Sequence, residues 1–306
     1  MLSNLSKFFK KRPYIFFIAP SAILYSLLIL YPMFSSILNS WTHWDGVGSK
    51  EFVGIGNFTT LLTNSTYAPQ LANALKNGFI FVILSYIIEV PVAFYFASMI
   101  DRKVKLAKAC QTILFLPQVI STVAITLLVS LFFDPTFGVI NTMLKSVGLD
   151  SWAQPWLGNP VLLQVLVVVI IVWKGIGIPT MLILSNMQAI PQDYIEAASL
   201  DGASEWRIFR SIKFPLLTPA LMNTMVLTFL GSFAAFDVPF MLGGKTGGPA
   251  NCVDTLGTMF YRVAFGSPYL TNTMGLATAI AVIQLAIALT VSMLQIKLLR
   301  RNLIEY

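Results

Sequence analysis

Long apolar stretches recur along the chain and predict helices that cross a membrane. Each approaches or exceeds the roughly 20 mostly apolar residues that span about 30 Å of hydrocarbon. None of them alternates apolar with polar positions, so they predict helices and not the strands of a membrane barrel. Five runs occupy residues 14–36, 77–100, 111–133, 161–189 and 216–236, and a sixth begins at about residue 273 and ends before Lys297.

The composition supports a membrane protein and excludes several other classes. Of the 306 residues, 56% are hydrophobic and 11% are charged, and the mean hydropathy is +0.76. A soluble domain has about 25% charged residues, so this chain has too few to cover a solvated surface. A cytosolic enzyme and a disordered chain are therefore excluded. The sequence predicts an all-α, polytopic membrane protein with six transmembrane helices.

The distribution of basic residues orients these helices. The loops fall on two sides of the membrane, and one side carries fourteen Lys and Arg residues while the other carries five. An excess of basic residues marks the cytoplasmic side. Both termini are then cytoplasmic, with residues 1–13 as an N-terminal segment and residues 14–306 as one transmembrane domain. The net charge of +7 is thus a topology signal, and no nucleic-acid partner is expected.

The cytoplasmic loop at residues 190–215 has the pattern of two short helices joined by a turn. Pro191 suits a helix start, and Gly202 suits a left-handed cap at the end of that helix. Ser204 can cap a second helix, and Pro215 predicts a turn into the fifth span. Such a hairpin either lies alone on the membrane surface or presents its small residues to a cleft in a soluble protein.

The same loop carries a motif that is typical of one transporter class. Glu196-Ala197-Ala198, followed by Gly202 and an ending at Pro215, resembles the EAA loop of ABC importer permease subunits. Other segments resemble the carbohydrate-uptake branch of that class, which contains the maltose and glycerol-phosphate permeases. The external segment 137–160 is more similar to the first, MalF-type, permease of that branch than to the second.

The resemblance implies a type I ABC importer permease fold, in which this loop docks into a cleft of an ATPase. The implied partners are a second similar permease subunit, an ATPase dimer, an extracytoplasmic sugar-binding protein and membrane lipid. The ATPase would bind ATP and magnesium, so no cofactor and no enzymatic activity are expected in this chain. The implied coupling positions are Glu196, Ala197, Ala198, Asp201, Gly202 and Ala203.

Three ionisable residues fall inside the predicted spans or at their ends: Glu89, Lys174 and Asp237. A charged side chain at mid-membrane costs about 2.5–3.5 kcal/mol on insertion scales, so such residues usually face a cavity or pair with one another. Two interpretations remain open. Lys174 pairs with Glu89 or Asp237 and holds the helices together, or the three residues line a solute pathway.

The resemblance implies further pathway residues. Alignment with the sugar contacts of the maltose-type permease brings Lys174 and Gly175 to one part of the site, and Phe233, Ala234 and Asp237 to another. Ala234 departs from the polar residue found there in the relative. This departure implies a different sugar, or a pocket that lies mainly in the second permease subunit.

Two functions of different classes compete at this stage. The first is the permease subunit of an ATP-driven sugar importer that works by alternating access in the cytoplasmic membrane. The alternative is a secondary transporter driven by an ion gradient, in which Glu89, Lys174 and Asp237 relay protons. The sequence shows no inverted halves of the kind common in secondary transporters, and the EAA motif favours the importer.

Overall fold

The computed structural model describes residues 14–101, 106–266 and 274–301, and almost all of its regular structure is helical. Two-residue strands form a small antiparallel ribbon. The elements of the first half are α1 Tyr14–Tyr25, α2 Tyr31–Asn39, β1 Thr42–His43, β2 Glu51–Phe52, α3 Gly56–Thr63, α4 Tyr67–Asp101, α5 Ala107–Val119, α6 Thr122–Phe132 and α7 Val139–Ser146. Those of the second half are α8 Pro160–Gly175, α9 Gly177–Gln188, α10 Gln192–Leu200, α11 Glu205–Ile208, α12 Phe214–Phe233, α13 Asp237–Gly243, α14 Leu256–Phe265 and α15 Met274–Arg301.

Four of the predicted spans are helices long and apolar enough to cross a bilayer within the described residues. They cover Phe17–Asn39, Tyr67–Asp101, Glu205–Gly243 and Met274–Leu298. The second begins ten residues before the apolar run, because Tyr67 and Leu71 are buried against α3 and the external end of the bundle. Thr273, where the sixth run was expected to begin, lies outside the described residues.

The other two spans were predicted as single helices, and this prediction was wrong. The span at 111–133 bends by 93° between α5 and α6, and the span at 161–189 bends by 45° between α8 and α9. Pro179 explains the second bend, because the proline ring clashes with the carbonyl of the residue four positions earlier, Gly175. Ile120 and Ser121 separate α5 from α6 in extended conformations. With each bent pair counted as one span, the described residues contain six.

Helix α4 is the centre of the bundle. It packs along α8, α9, α12 and α14, and small side chains form part of its contact with α9. Ala93 and Ala97 are fully buried, in one cluster with Ile183 and Leu184 of α9. Side chains of this size allow helix backbones to approach closely, which is the main source of packing energy between helices in lipid.

The external ribbon closes over the start of α15. Thr42 pairs with Phe52 and His43 pairs with Glu51 in the two strands. The amide of Gly275 donates to the carbonyl of Trp44 at 3.0 Å, and a methyl group at Gly275 would collide with the carbonyl of Thr42. Only glycine lets the helix approach the ribbon this closely.

The cytoplasmic loop forms the two predicted helices, but its junction with the fifth span differs from the prediction. Gly202 has a φ of +75° after α10, and the Ser204 hydroxyl accepts a hydrogen bond from the amide of Arg207 at the start of α11. Pro215 does not turn the chain. A π-helical segment, Phe209–Lys213, joins α11 directly to α12, and this wider turn lies just before Pro215, which has no N–H for an α-helical hydrogen bond.

Candidate functional site

A cavity of about 490 Å³ opens among α4, the α5–α6 break, the α8–α9 break, α12 and the start of α13. Its lining mixes polar and apolar groups, as small-molecule sites do. The polar and charged side chains that line it are Glu89, Gln118, Thr122, Lys174, Thr228, Ser232 and Asp237. The other lining residues are Ile171, Gly175, Ile178, Pro179, Leu227, Gly231, Ala234, Ala235, Phe236 and Val238.

Five of the six predicted pathway residues meet in this cavity, and Ala234 is one of them. Glu89 comes from α4, Lys174 and Gly175 from the end of α8, and Asp237 from the start of α13. Both helix breaks border the same space, so the cavity lies where regular packing of the bundle is interrupted. Ile120 and Ser121 leave the helical conformation at the α5–α6 break, and a membrane interior tolerates irregular backbone only where it lines a cavity or is buried in protein.

Phe233, the sixth predicted residue, does not line the cavity. Its side chain is 2% exposed, and its ring lies 5.3 Å from the rings of both Phe229 and Phe79. The Phe79 contact is one of several with α4, since Gly78 also packs against the Phe233 ring. Phe236, three residues further along the chain, is the aromatic residue that reaches the cavity. The chain bends after Phe233, and the alignment alone does not reveal which phenylalanine the bend turns inward.

Lys174 forms no ion pair with Glu89 or Asp237, although such a pair was the first of the two interpretations that the sequence left open. Its ammonium group donates to the hydroxyl of Thr122, on the other side of the α5–α6 break. Among the described residues, the one ion pair with nitrogen and oxygen within 4.0 Å joins Arg262 and Asp254. Neither residue lines the cavity. Sequence analysis did not select Thr122. The only available signal was its position next to Ser121, a residue type that favours helix N-caps.

Gly175 makes room for the buried carboxylate of Glu89. A methyl group at position 175 would lie 3.1 Å from Oε1 of Glu89, which is tighter than ordinary contact. Gly177, two residues later, would meet the carbonyl of Leu114 on α5 at 2.9 Å. The two glycines therefore bring the broken α8–α9 span close to α4 on one side and to α5 on the other.

The second predicted site is the helix pair α10–α11, which the basic residues predict to be cytoplasmic and which we call the elbow (residues 192–208). Its predicted positions lie together around the turn. Glu196, Ala197, Asp201 and Gly202 are exposed, and Ala198 and Ala203 are half-buried. Large apolar side chains are exposed on the same elbow, with Leu200 at 90% and Trp206 at 66%.

The elbow is attached to the bundle by an aromatic cluster. The ring of Phe209 stacks at 5.5 Å on Trp206 and meets the edge of Phe94 of α4 at 5.8 Å. Ile208 is buried beside them. This packing, together with the unbroken helical path into α12, makes α11 a rigid extension of a helix that lines the cavity.

A buried ion pair ties together the external end of the bundle. The two terminal guanidinium nitrogens of Arg262 donate to the two carboxylate oxygens of Asp254, at 2.8 and 2.7 Å. The side chain of Arg262 is 4% exposed and that of Asp254 is 1% exposed. Arg262 also donates to Gln70 of α4 at 3.1 Å. Asn77 of α4 donates to the carbonyl of Asp254 and accepts from Gln164 of α8. Sequence analysis counted Arg262 only as an external charge.

Comparison with known proteins agrees with this architecture. The family of binding-protein-dependent transport system inner membrane components matches residues 89–304. The probable ABC transporter permease protein YurN of Bacillus subtilis (strain 168) is 31% identical over 288 residues, covering 93% of this chain and 94% of YurN. The multiple sugar-binding transport system permease protein MsmF of Streptococcus mutans serotype c (strain ATCC 700610 / UA159) is 30% identical over 289 residues, covering 94% of each chain.

A solved structure shares the fold. The crystal structure of a bacterial ABC transporter involved in the import of the acidic polysaccharide alginate contains a chain with a TM-score of 0.80 and 25% sequence identity. The superposition covers 97% of this chain and 99% of that one. The predicted all-α, type I importer permease fold is confirmed. The chain is a multi-pass transport permease of the cytoplasmic membrane, not an enzyme, and it belongs to the family of binding-protein-dependent transport system inner membrane components.

Proposed function

We propose that this chain forms, with a second permease subunit, the pathway through which a sugar or oligosaccharide enters the cell. A separate ATPase drives the transport by pushing on the elbow, and an extracytoplasmic binding protein delivers the sugar. The observation that carries the proposal is that an exposed apolar elbow continues, as one helical path, into the wall of the cavity.

The elbow has the surface of a docking site. Leu200 is 90% exposed, although it lies in a short helix beside four exposed or half-exposed small residues and a left-handed turn. Exposed apolar groups that cluster in this way mark protein or membrane contacts. In this proposal the ATPase supplies the cleft and binds ATP and magnesium, while this chain supplies only the contact surface around Glu196 and Gly202.

The helical path can transmit a displacement. The span Glu205–Gly243 has 39 residues, and its regular part up to Phe233 is about 40 Å long at 1.5 Å per residue. Its far end carries Thr228, Gly231 and Ser232 of the cavity. A movement of α11 therefore shifts the cavity wall as a rigid body, which is the kind of hinge motion that alternating access requires.

The cavity suits a sugar in size and in chemistry. A volume of about 490 Å³ lies within the roughly 300–1,000 Å³ of small-molecule sites. Carboxylates, hydroxyls and an amide can bind sugar hydroxyls, and Phe236 offers an aromatic face. The sugar-binding transport system named for the relative MsmF supports the same cargo class. Family membership favours an ATP-driven importer over the secondary transporter considered above.

The docking proposal is tested with matched variants of the assembled transporter. Glu196→Lys reverses an exposed charge on the elbow, and Glu51→Lys makes the same reversal on the exposed external ribbon. Gly202→Ala and Gly148→Ala each add a methyl group to open space at a φ of +75° and +78°. Each glycine variant therefore carries a similar local strain of about 1 kcal/mol.

We expect only the elbow variants to lose the ATPase when the tagged permease is purified. Glu196→Lys and Gly202→Ala should reduce the recovered ATPase at least several-fold and retain the second permease subunit. In membrane vesicles, sugar uptake by the unmodified complex should require ATP on the cytoplasmic side, and a proton gradient alone should not drive it. Equal ATPase recovery from the elbow and control variants would refute the assignment of the elbow.

A further inference from the structure

The charges that line the cavity do not balance. Two carboxylates, Glu89 and Asp237, face the space together with one ammonium group, Lys174. These are the charged side chains of its lining among the described residues. Lys174 lies within hydrogen-bond contact of Thr122 and forms no ion pair with either carboxylate. The cavity therefore has acidic character and one carboxylate more than its own cation can neutralise.

Glu89 is the carboxylate for which this imbalance matters most. Its residue is 5% exposed, and Oε1 faces the space above Gly175. The Thr228 hydroxyl is its polar neighbour, and among the described residues no cationic group lies within 4.0 Å of the Glu89 carboxylate. A buried carboxylate without a cationic partner is costly, and the cost is offset when a donor or a positive charge arrives. Glu89 thus presents a carboxylate without a cationic partner to whatever enters the cavity.

We infer that the cavity selects a saccharide that carries an amino group, with its positive charge against Glu89, over one that carries an acidic group. This inference rests on the proposed function only in treating the cavity as the path of the cargo. A single ammonium group on the cargo balances the surplus carboxylate, whereas a uronic acid adds a third negative charge next to Glu89 and Asp237.

The fold by itself does not decide the charge of the cargo. The solved importer with a similar fold takes part in the import of an acidic polysaccharide. Selectivity for charge must therefore come from the side chains that line the cavity, and in this chain those side chains carry a net negative charge when ionised.

The experiment measures the charge preference of the cavity without transport and without a binding protein. Cys110 and Cys252 are replaced by alanine in the assembled transporter, and Ala234→Cys adds a thiol to the exposed cavity lining. Ser65→Cys, in an exposed external turn, serves as the reference. The rates of modification by a cationic and by an anionic methanethiosulfonate reagent are measured in detergent, where both membrane faces are accessible.

We expect the ratio of cationic to anionic rates to be about tenfold higher at position 234 than at position 65, as one uncompensated charge about 6 Å away produces in a water-filled cavity with a dielectric of about 80. Glu89→Gln should reduce that ratio several-fold, and Lys174→Gln should increase it. Asp237→Asn removes the other carboxylate, at an exposed position, and should also reduce the ratio of cationic to anionic rates. This measurement does not depend on whether the buried Glu89→Gln variant folds.

Protection by sugars tests the cargo class directly. Chitosan disaccharide, cellobiose and a cellobiose-derived uronic acid share one glycosidic linkage and differ in charge. The amino disaccharide should slow the modification at position 234 more than the uronic acid does. A ratio equal to that of the reference, or equal or better protection by the uronic acid, would overturn the inference. A failed elbow test leaves both readouts intact, so the two proposals fail separately.

Discussion

The buried pair Asp254–Arg262 allows a quantitative test of the external end of the bundle. Arg262→Met removes the guanidinium group and leaves the carboxylate of Asp254 buried without a cation, with the Thr258 hydroxyl as its remaining side-chain donor at 2.7 Å. The partner side chains are 1% and 4% exposed, so water cannot replace the lost contact. Removing one member of a buried ion pair costs about 3–5 kcal/mol. We therefore expect the variant to be destabilised by about that amount.

Replacing both members should recover most of this loss. In Asp254→Leu/Arg262→Met, two apolar side chains fill the space and no charge remains buried, and such replacements are often neutral or stabilising. Arg262 also bonds to Gln70 at 3.1 Å, so some of the cost, about 1 kcal/mol for a lost hydrogen bond, should remain. Lys245→Gln serves as the control, because it removes an exposed positive charge from the same loop.

The assay uses a thiol next to the network. Burial raises the pKa of the Cys252 thiol above its ordinary value, and a thiol with less thiolate reacts slowly. In a Cys110→Ala background, a thiol-reactive fluorogenic dye should therefore label Cys252 slowly in the folded protein and rapidly on heating. Arg262→Met should lower the labelling midpoint by several degrees, and the double variant should recover most of that shift.

Two results would refute the argument. If Arg262→Met shifts the midpoint no more than Lys245→Gln does, then the pair contributes nothing beyond a surface charge. If the double variant is as unstable as the single one, then the loss comes from packing or from the contact with Gln70, and not from an unpaired buried carboxylate.

Three further predictions concern glycine contacts and an external loop. Gly175→Ala should reduce transport several-fold without loss of assembly, because its methyl group meets the Glu89 carboxylate at 3.1 Å; uptake rates and co-purification of the second subunit check this. Gly275→Ala should destabilise the contact of α15 with the ribbon by a few kcal/mol, since a methyl group collides there with a backbone carbonyl; proteolysis of the ribbon reports it. Asn141→Leu removes the acceptor of the Trp156 indole at 2.7 Å, and should cost about 1–3 kcal/mol and change tryptophan fluorescence; an unchanged spectrum would contradict this contact.

Several features follow from the sequence because they depend on local properties. A run of about 20 apolar residues can only form a helix in lipid, and basic residues choose the side of the membrane that each loop occupies. The elbow was also predictable, since Gly202 and Ser204 act within one turn of their own positions. The prediction for Pro215 failed at this same local level, because a proline that usually favours a turn lies here inside a continuous helix, directly after a π-helical segment.

Which side chains line the cavity could be determined only from the tertiary structure. A soluble helix reveals its buried side through alternating apolar and polar faces, but α4 and α8 are apolar on nearly every face, since lipid and protein core favour the same residues. The sequence indicated that Glu89, Lys174 and Asp237 were unusual, and it left open whether they pair. Helix rotation and the two breaks decided that Lys174 contacts Thr122, that Phe236 and not Phe233 reaches the cavity, and that Arg262 is buried. Hydropathy determines which segments enter the membrane, whereas side-chain packing alone determines which face of each segment meets the others.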